Sequence, residues 1–141
     1  MFGPPGKAIN SYTKVGLETG VDIANPHKLI TMLLDGAIMQ LGTAAQATKD
    51  KRHNDKGKSI SIAIDIISSG LQASLDKEAG GEIGERLDSL YNYMCTRLLF
   101  ANLHSDLAAI QEVSALLGEI KAGWEEIAND PAVASRNKAA T

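Results

Sequence analysis

The prolines of this chain stand only near its ends. Pro4, Pro5, Pro26 and Pro131 are all of them, so between Pro26 and Pro131 no residue lacks the backbone N–H that a helix needs. Over that stretch apolar residues recur three and four apart, the period of an amphipathic helix, and no alternating strand pattern survives. A chain of 141 residues built this way is confined to helices packed on helices, in about one domain. Hydrophobic residues make up 44% of it, enough to fill a core at this length.

Local signals divide the chain into a loose head, four long segments and a tail. The head, 1–24, opens on a Pro/Gly run followed by Lys7-Ala8-Ile9-Asn10-Ser11-Tyr12. Asn25-Pro26 reads as a helix start, with Asn as N-cap and Pro at the first helical position, and that helix should run to about Lys49. Lys51 to Lys56 reads as a polar connection, and a second helix is expected from about Lys58 to Ala79, stopped by Gly80-Gly81. A third helix follows from about Glu82 to Leu103. Ser105 should cap the fourth, which runs to about Ala128, ahead of Asp130-Pro131. Residues 129–141 are small and polar and read as a disordered tail. The expected fold is all-α: an antiparallel up-and-down four-helix bundle over 25–128, with a short N-terminal helical segment ahead of it.

At 100° per residue each helix shows a core stripe. The first carries Ile30, Leu33, Leu34, Ala37, Leu41, Ala44, Ala45 and Thr48. The second carries Ile60, Ala63, Ile64, Ile67, Leu71 and Leu75, and the third Ile83, Leu87, Leu90, Tyr91, Met94, Leu98 and Ala101. The fourth carries Leu107, Ile110, Val113, Leu117, Ile120, Trp124 and Ile127. The second helix has more apolar surface than one core face needs. Ile62, Ile66 and Ala73 fall opposite its main stripe, beyond a polar wedge of Ser61, Asp65, Ser68, Gln72 and Asp76; Tyr93 and Phe100 repeat this weakly on the third helix. Either the head or wide bundle packing covers this second face, or it is a groove for an apolar helix docking by anchors three and four apart. In the head, Ile9 and Tyr12 are spaced to act as a detachable latch over it, in a segment too short and polar to be helical alone; the alternative is that Tyr12 packs permanently in the core.

Enzymatic chemistry has no visible carrier. A di-metal bundle site needs Glu-x-x-His pairs, and no Glu precedes His27, His53 or His104 by three, so those histidines read as solvated surface residues. Cys95 has no His a turn away at Tyr91 or Leu99 and reads as a small half-buried thiol. No phosphate-binding loop, dinucleotide fingerprint or nucleophile elbow is present, and no metal or cofactor is expected. The net charge of -3 and pI near 5.6 argue against nucleic acid and anionic membranes as partners. The basic cluster Lys49, Lys51, Arg52, Lys56 and Lys58 is broken by Asp50 and Asp55, and reads as cations placed at a helix C-terminus. One cysteine and the absence of a secretory signal at the start point to a reducing, cytoplasmic setting. The uncharged run Gly36 to Thr48 is too short to insert across a membrane.

The run Asn25-Pro26-His27-Lys28-Leu29-Ile30-Thr31-Met32-Leu33-Leu34-Asp35-Gly36-Ala37 resembles the first-helix motif of the FliS family of flagellar secretion chaperones, approximately (S/N)PhxLIxMLyDGA. Three further stretches are similar to that family in the same order. They are Gly70-Leu71 with Leu75-Asp76-Lys77-Glu78-Ala79-Gly80-Gly81-Glu82-Ile83; Leu87 to Met94 continuing through Arg97-Leu98 to Ala101-Asn102; and Glu112-Val113 with Leu116-Leu117 and Trp124. Together they span roughly residues 8 to 128. The resemblance implies a cytoplasmic export chaperone and not an enzyme. It implies a client, the disordered C-terminal segment of flagellin, which becomes helical as it wraps the bundle, and delivery of the loaded subunit to the flagellar type III export gate. It also agrees with the latch, since the matching N-terminal tyrosine stretch covers apolar surface until the client displaces it. On this reading Ile62, Ile66, Ala73, Tyr93 and Phe100 are the expected client contacts, Ile9 and Tyr12 the latch, and the free chain a monomer or weak dimer. Gly36 should permit close helix packing. Asp35 sits off the main apolar stripe; were its carboxylate buried it would need a partner, for which Arg97 is the candidate. Two other classes stay open: a regulatory module that sequesters an anti-sigma or translational regulator in the same groove, and a metal- or cofactor-binding bundle enzyme.

Overall fold

The computed structural model describes residues 25–128. Among these are four helices and no strand: α1 (Pro26–Lys49), α2 (His53–Asp65, continued without a break by a π-helical run, Ile66–Gln72), α3 (Lys77–His104) and α4 (Leu107–Ala128). The head and tail lie outside the described residues, and with them Ile9 and Tyr12.

The start of α1 follows the expected chemistry. The Asn25 side chain accepts from the backbone N–H of His27 at 3.0 Å and of Lys28 at 3.3 Å, and Pro26 occupies the first turn, where its missing N–H costs nothing. Its end is closed by Lys51 at φ 57, which lets Arg52 N donate to Ala47 O at 2.8 Å and Lys51 N to Thr48 O at 3.2 Å. This is the left-handed helix stop that glycine usually supplies. The end of α3 repeats it, with Ser105 at φ 51 and Asp106 N donating to Ala101 O at 3.1 Å. Ser105 therefore closes α3 and does not cap α4. The cap of α4 is Asp106, whose Oδ1 accepts from Ala109 N at 3.2 Å.

The borders of α2 differ from expectation at both ends. It begins at His53, because Arg52 pairs with Asp55 across the first turn at 2.9 Å and Lys56 turns inward. It ends at Gln72, and Gly81 acts elsewhere. With φ 56 and ψ -133, a conformation that strains any side-chain-bearing residue, Gly81 kinks the start of α3.

The helices form an antiparallel ring in which α1 packs between α2 and α4 and α3 closes the far side. Cross-links fix the directions. The start of α1 meets the end of α4, where His27 and Trp124 stack with ring centres 4.3 Å apart. The start of α2 meets the end of α3 through Lys56, and the end of α2 meets the first half of α3 through Gln72, whose amide donates to Asp88 Oδ1 at 2.9 Å and Asn92 Oδ1 at 2.8 Å. The core is made of the expected stripes, including Leu33, Leu34, Leu41, Ile60, Ile67, Met94, Leu98, Ile110, Val113 and Leu117. Ile83 and Ile127 were expected there and are exposed. Trp124 already faces the first turn of α1, so Ile127 projects past the bundle's end, and Ile83 stands on the open rim of a cleft at that end.

Candidate functional site

Four of the expected contacts sit where their helices could present them, and one does not. Ile62, Tyr93 and Phe100 are exposed and Ala73 is half-buried in the α2–α3 connection. Ile66 is only 6% exposed; its Cδ1 lies 3.6 Å from where a Cβ on Gly36 would stand, so it packs on α1. Ser59, seven residues before Ile66 on the same side of α2, is buried as well, so the buried arc of this helix is wider than its main apolar stripe and takes in Ile66 beside Ile67. Ile66 thus belongs to the seam with α1, while Ile62 of the same expected face stays exposed. Tyr93 leans to α4, its hydroxyl donating to Glu112 Oε2 at 2.6 Å. Ile66 and Tyr93, read from the sequence as parts of one groove, lie on different seams of the bundle.

The exposed apolar side chains are concentrated on α3, and most of them were not among the expected contacts. Thr96, Leu99, Phe100 and Leu103 follow each other at i, i+3, i+4 and i+7, and all are exposed, Leu99 by 61% and Leu103 by 79%. The opposite side of the same turns, Tyr91, Met94, Leu98 and Ala101, is core. This half of α3 is apolar on two faces with a bundle on only one. The three-and-four spacing of these residues is the signal in the sequence that could have found them.

Polar groups hold the aromatic edge of this surface in place. Glu112 accepts from Tyr93 and, at 2.9 Å, from Arg97 Nε. The two donors hold its carboxyl below the usual carboxylate range, and Tyr93, donating to a carboxylate, is raised above its own. Arg97 also lies 5.4 Å from the centre of the Phe100 ring, and the His104 ring packs against Phe100 at 4.4 Å. Arg97 is thereby committed to α4. Asp35 is exposed, in keeping with its place off the main apolar stripe, and its partner is Lys121 of α4, at 2.6 Å, not Arg97.

At the end of the bundle where α1 begins and α4 finishes, a cleft of about 370 Å³ opens. Ile30, Leu71, Leu87, Tyr91, Ile120 and Trp124 make most of its wall, and Ile83, 70% exposed, stands at its rim. The His27–Trp124 stack supports it from behind. Trp124 Nε1 donates to His27 O at 3.0 Å, and that carbonyl also accepts from Thr31 Oγ1 at 3.2 Å. His27 is buried and not the solvated residue expected, because the Trp124 indole stacks over its ring at an interplanar angle of 5°. Its Nε2 has no hydrogen-bond partner among the described residues, and burial lowers its pKa.

The remaining reactive groups are quiet. Burial pushes the half-buried Cys95 thiol up to about 11 and the Tyr91 hydroxyl up to about 12, so neither is ionised near neutrality. Among the described residues no three His, Cys, Asp or Glu side chains converge as a metal site would require, and no helix is long and apolar enough to cross a membrane. Lys56, one of the basic cluster, is buried; its ammonium donates to Asn102 O at 3.0 Å and Ser105 Oγ at 2.7 Å and so caps the C-terminus of α3, not of α1. What this molecule offers a partner is apolar surface on a helical frame.

Comparison with known proteins agrees. The family described as Flagellar protein FliS matches residues 8–131. The flagellar secretion chaperone FliSB of Pseudomonas aeruginosa is 44% identical over 123 residues, which are 87% of this chain and 97% of that protein. The flagellar secretion chaperone FliS of Salmonella typhimurium is 46% identical over 119 residues, 84% of this chain and 88% of the relative. That of Escherichia coli is 40% identical over 127 residues, 90% and 93% of the two chains. This chain belongs to the FliS family of flagellar secretion chaperones, which are not enzymes.

Proposed function

We propose that the chain is a cytoplasmic export chaperone whose client is the disordered C-terminal segment of flagellin, that it keeps the subunit from polymerising early, and that it presents the loaded subunit to the flagellar type III export gate. The observation that carries this reading is the outer stripe of α3. A helix segment with apolar residues three and four apart would bury Leu99, Phe100 and Leu103 on it, and each large side chain taken from water contributes roughly 1.5–3 kcal/mol when fully covered. A disordered client folds as it binds and spends part of that gain on ordering itself, which suits a complex that must later be released. Tyr93 and Phe100 remain proposed contacts, joined by Leu99, Leu103 and Ile83. Ile62 and Ala73 stay proposed contacts as well, and Ile66, being internal, is withdrawn. The test is co-elution of this chain with purified flagellin. A stable complex is expected with full-length flagellin and none with flagellin lacking its C-terminal segment; equal recovery of both, or of neither, contradicts the proposal.

A further inference from the structure

We infer that Glu112 of α4 is a positioning residue for the client surface: it holds Tyr93 and, through Arg97, Phe100 in the rotamers that a client meets. The inference rests on the client-binding role proposed above. It deepens that role by separating the residues that touch a client from the one that readies them.

Tyr93, Arg97 and Phe100 stand at i, i+4 and i+7 of α3, so their side chains share one edge of that helix. Glu112 reaches this edge from α4 with both oxygens of its carboxylate. Oε2 accepts from the Tyr93 hydroxyl at 2.6 Å, and Oε1 accepts from Arg97 Nε at 2.9 Å. A bond at Nε fixes how the guanidinium lies, and its central carbon stands 5.4 Å from the centre of the Phe100 ring. His104 packs against the same ring from the next turn, at 4.4 Å. One carboxylate thus restrains two aromatic rings that are 44% and 43% exposed.

Folding alone gives little reason for this arrangement. The Arg97 and Glu112 side chains are 30% and 39% exposed, and ion pairs this open to water add little to stability. The seam beneath them is already closed by Leu98, Ile110 and Val113. Binding gives a better reason. An untied ring on a helix surface samples several rotamers, and a partner that covers it has to freeze them. The Glu112 tie does that ordering in the free chain, so a client meets rings already in place. Leu99 and Leu103 lie farther round α3 and have no polar group for a carboxylate to hold. Glu112 therefore bears on the aromatic edge of the surface and not on its aliphatic part.

The test titrates a synthetic peptide of the flagellin C-terminal segment into the parent, into Glu112→Ala, Phe100→Ala and Leu103→Ala, and into the two double variants that carry Glu112→Ala. Glu112→Ala should melt with the parent and bind the peptide about fivefold or more weakly. Phe100→Ala should cost at least about threefold less affinity in the Glu112→Ala background than in the parent, because both changes act on one ring. Leu103→Ala should cost the same in both backgrounds. Glu112→Gln, which keeps one acceptor oxygen, should fall between parent and Glu112→Ala. Unchanged affinity of Glu112→Ala overturns the inference and leaves the chaperone reading standing. Full additivity with Phe100→Ala does the same, since Glu112 would not then act through that ring. Should Glu112→Ala melt early, Tyr93→Phe cuts the tie from the other side and keeps the ring; the parent's affinity in that variant overturns the inference equally. Failure of the parent itself to bind the peptide overturns the proposed function, and this inference with it.

Discussion

His27 is the residue on which the cleft end of the bundle turns. It is buried, stacked on Trp124, and its backbone carbonyl gathers donors from Trp124 and Thr31. Burial holds its pKa below the ordinary 6.5, so the folded state binds a proton less readily than the unfolded chain does. Stability from the neutral imidazole is fully present above pH 6.5 and is lost as the pH falls below it toward the depressed folded pKa. Thermal melts at pH 7.5 and pH 5.5 should show the parent losing midpoint on acidification. His27→Phe keeps a ring against Trp124 and should lose measurably less; a variant with the parent's full acid sensitivity would place the titrating group elsewhere. Neither His27 nor Lys56 was legible as a structural residue in the sequence. A lone His or Lys on a helix has no local mark of burial, and what buries these two comes from far along the chain, Trp124 in one case and Asn102 with Ser105 in the other.

Among the elements, α2 shows where a single apolar stripe understates burial. Up to Asp65 its buried residues are Lys56, Ser59, Ile60, Ala63 and Ile64, already a wider arc than the expected stripe. Ile66 continues the Ser59–Ala63 flank of that arc, at the start of the run Ile66–Gln72 in which the Ser68 hydroxyl donates to Ile64 O at 2.9 Å, with Ser74 just beyond it donating to Gly70 O at 2.6 Å. A serine and a lysine carry no apolar mark of burial, so Ile66 reads as exposed from sequence and is internal in the fold. The substitutions that separate the two views are Ile66→Asp and Ile62→Asp. Ile66→Asp should cost at least about 3 kcal/mol, like a change on the core stripe, because it removes a buried side chain and puts a carboxylate in its place. Ile62→Asp should stay within about 0.5 kcal/mol of the parent. Denaturant titration reads both, and a stable Ile66→Asp protein would return Ile66 to the surface. The helix ends tell a similar story. Asn25-Pro26 was legible because the cap acts within its own turn, whereas Lys51 and Ser105 close helices in a left-handed conformation that their side chains do not advertise.

For the whole molecule, the ring of four helices was legible because three-and-four spacing decides which side of each helix is buried, whatever its neighbours are. The proposed client-binding surface was legible only in kind. Unspent apolar residues betray a surface suited to a partner, but which of them stay uncovered depends on how wide an arc of each helix its neighbours bury, and on α2 that arc takes in Ile66. The molecule that results has a packed interior, a stripe of uncovered apolar residues along α3 and a cleft at the end where α1 begins. On the proposed reading its work is to cover its client's apolar residues with its own. Calorimetric titration of the chain with the flagellin C-terminal peptide, repeated at two temperatures, tests this most directly. The account predicts one peptide per chain, a Kd below about 10 µM, and a binding enthalpy that grows more negative on warming, the sign of apolar burial. No heat of binding at high micromolar concentration at either temperature, or binding whose enthalpy does not change with temperature, would contradict it.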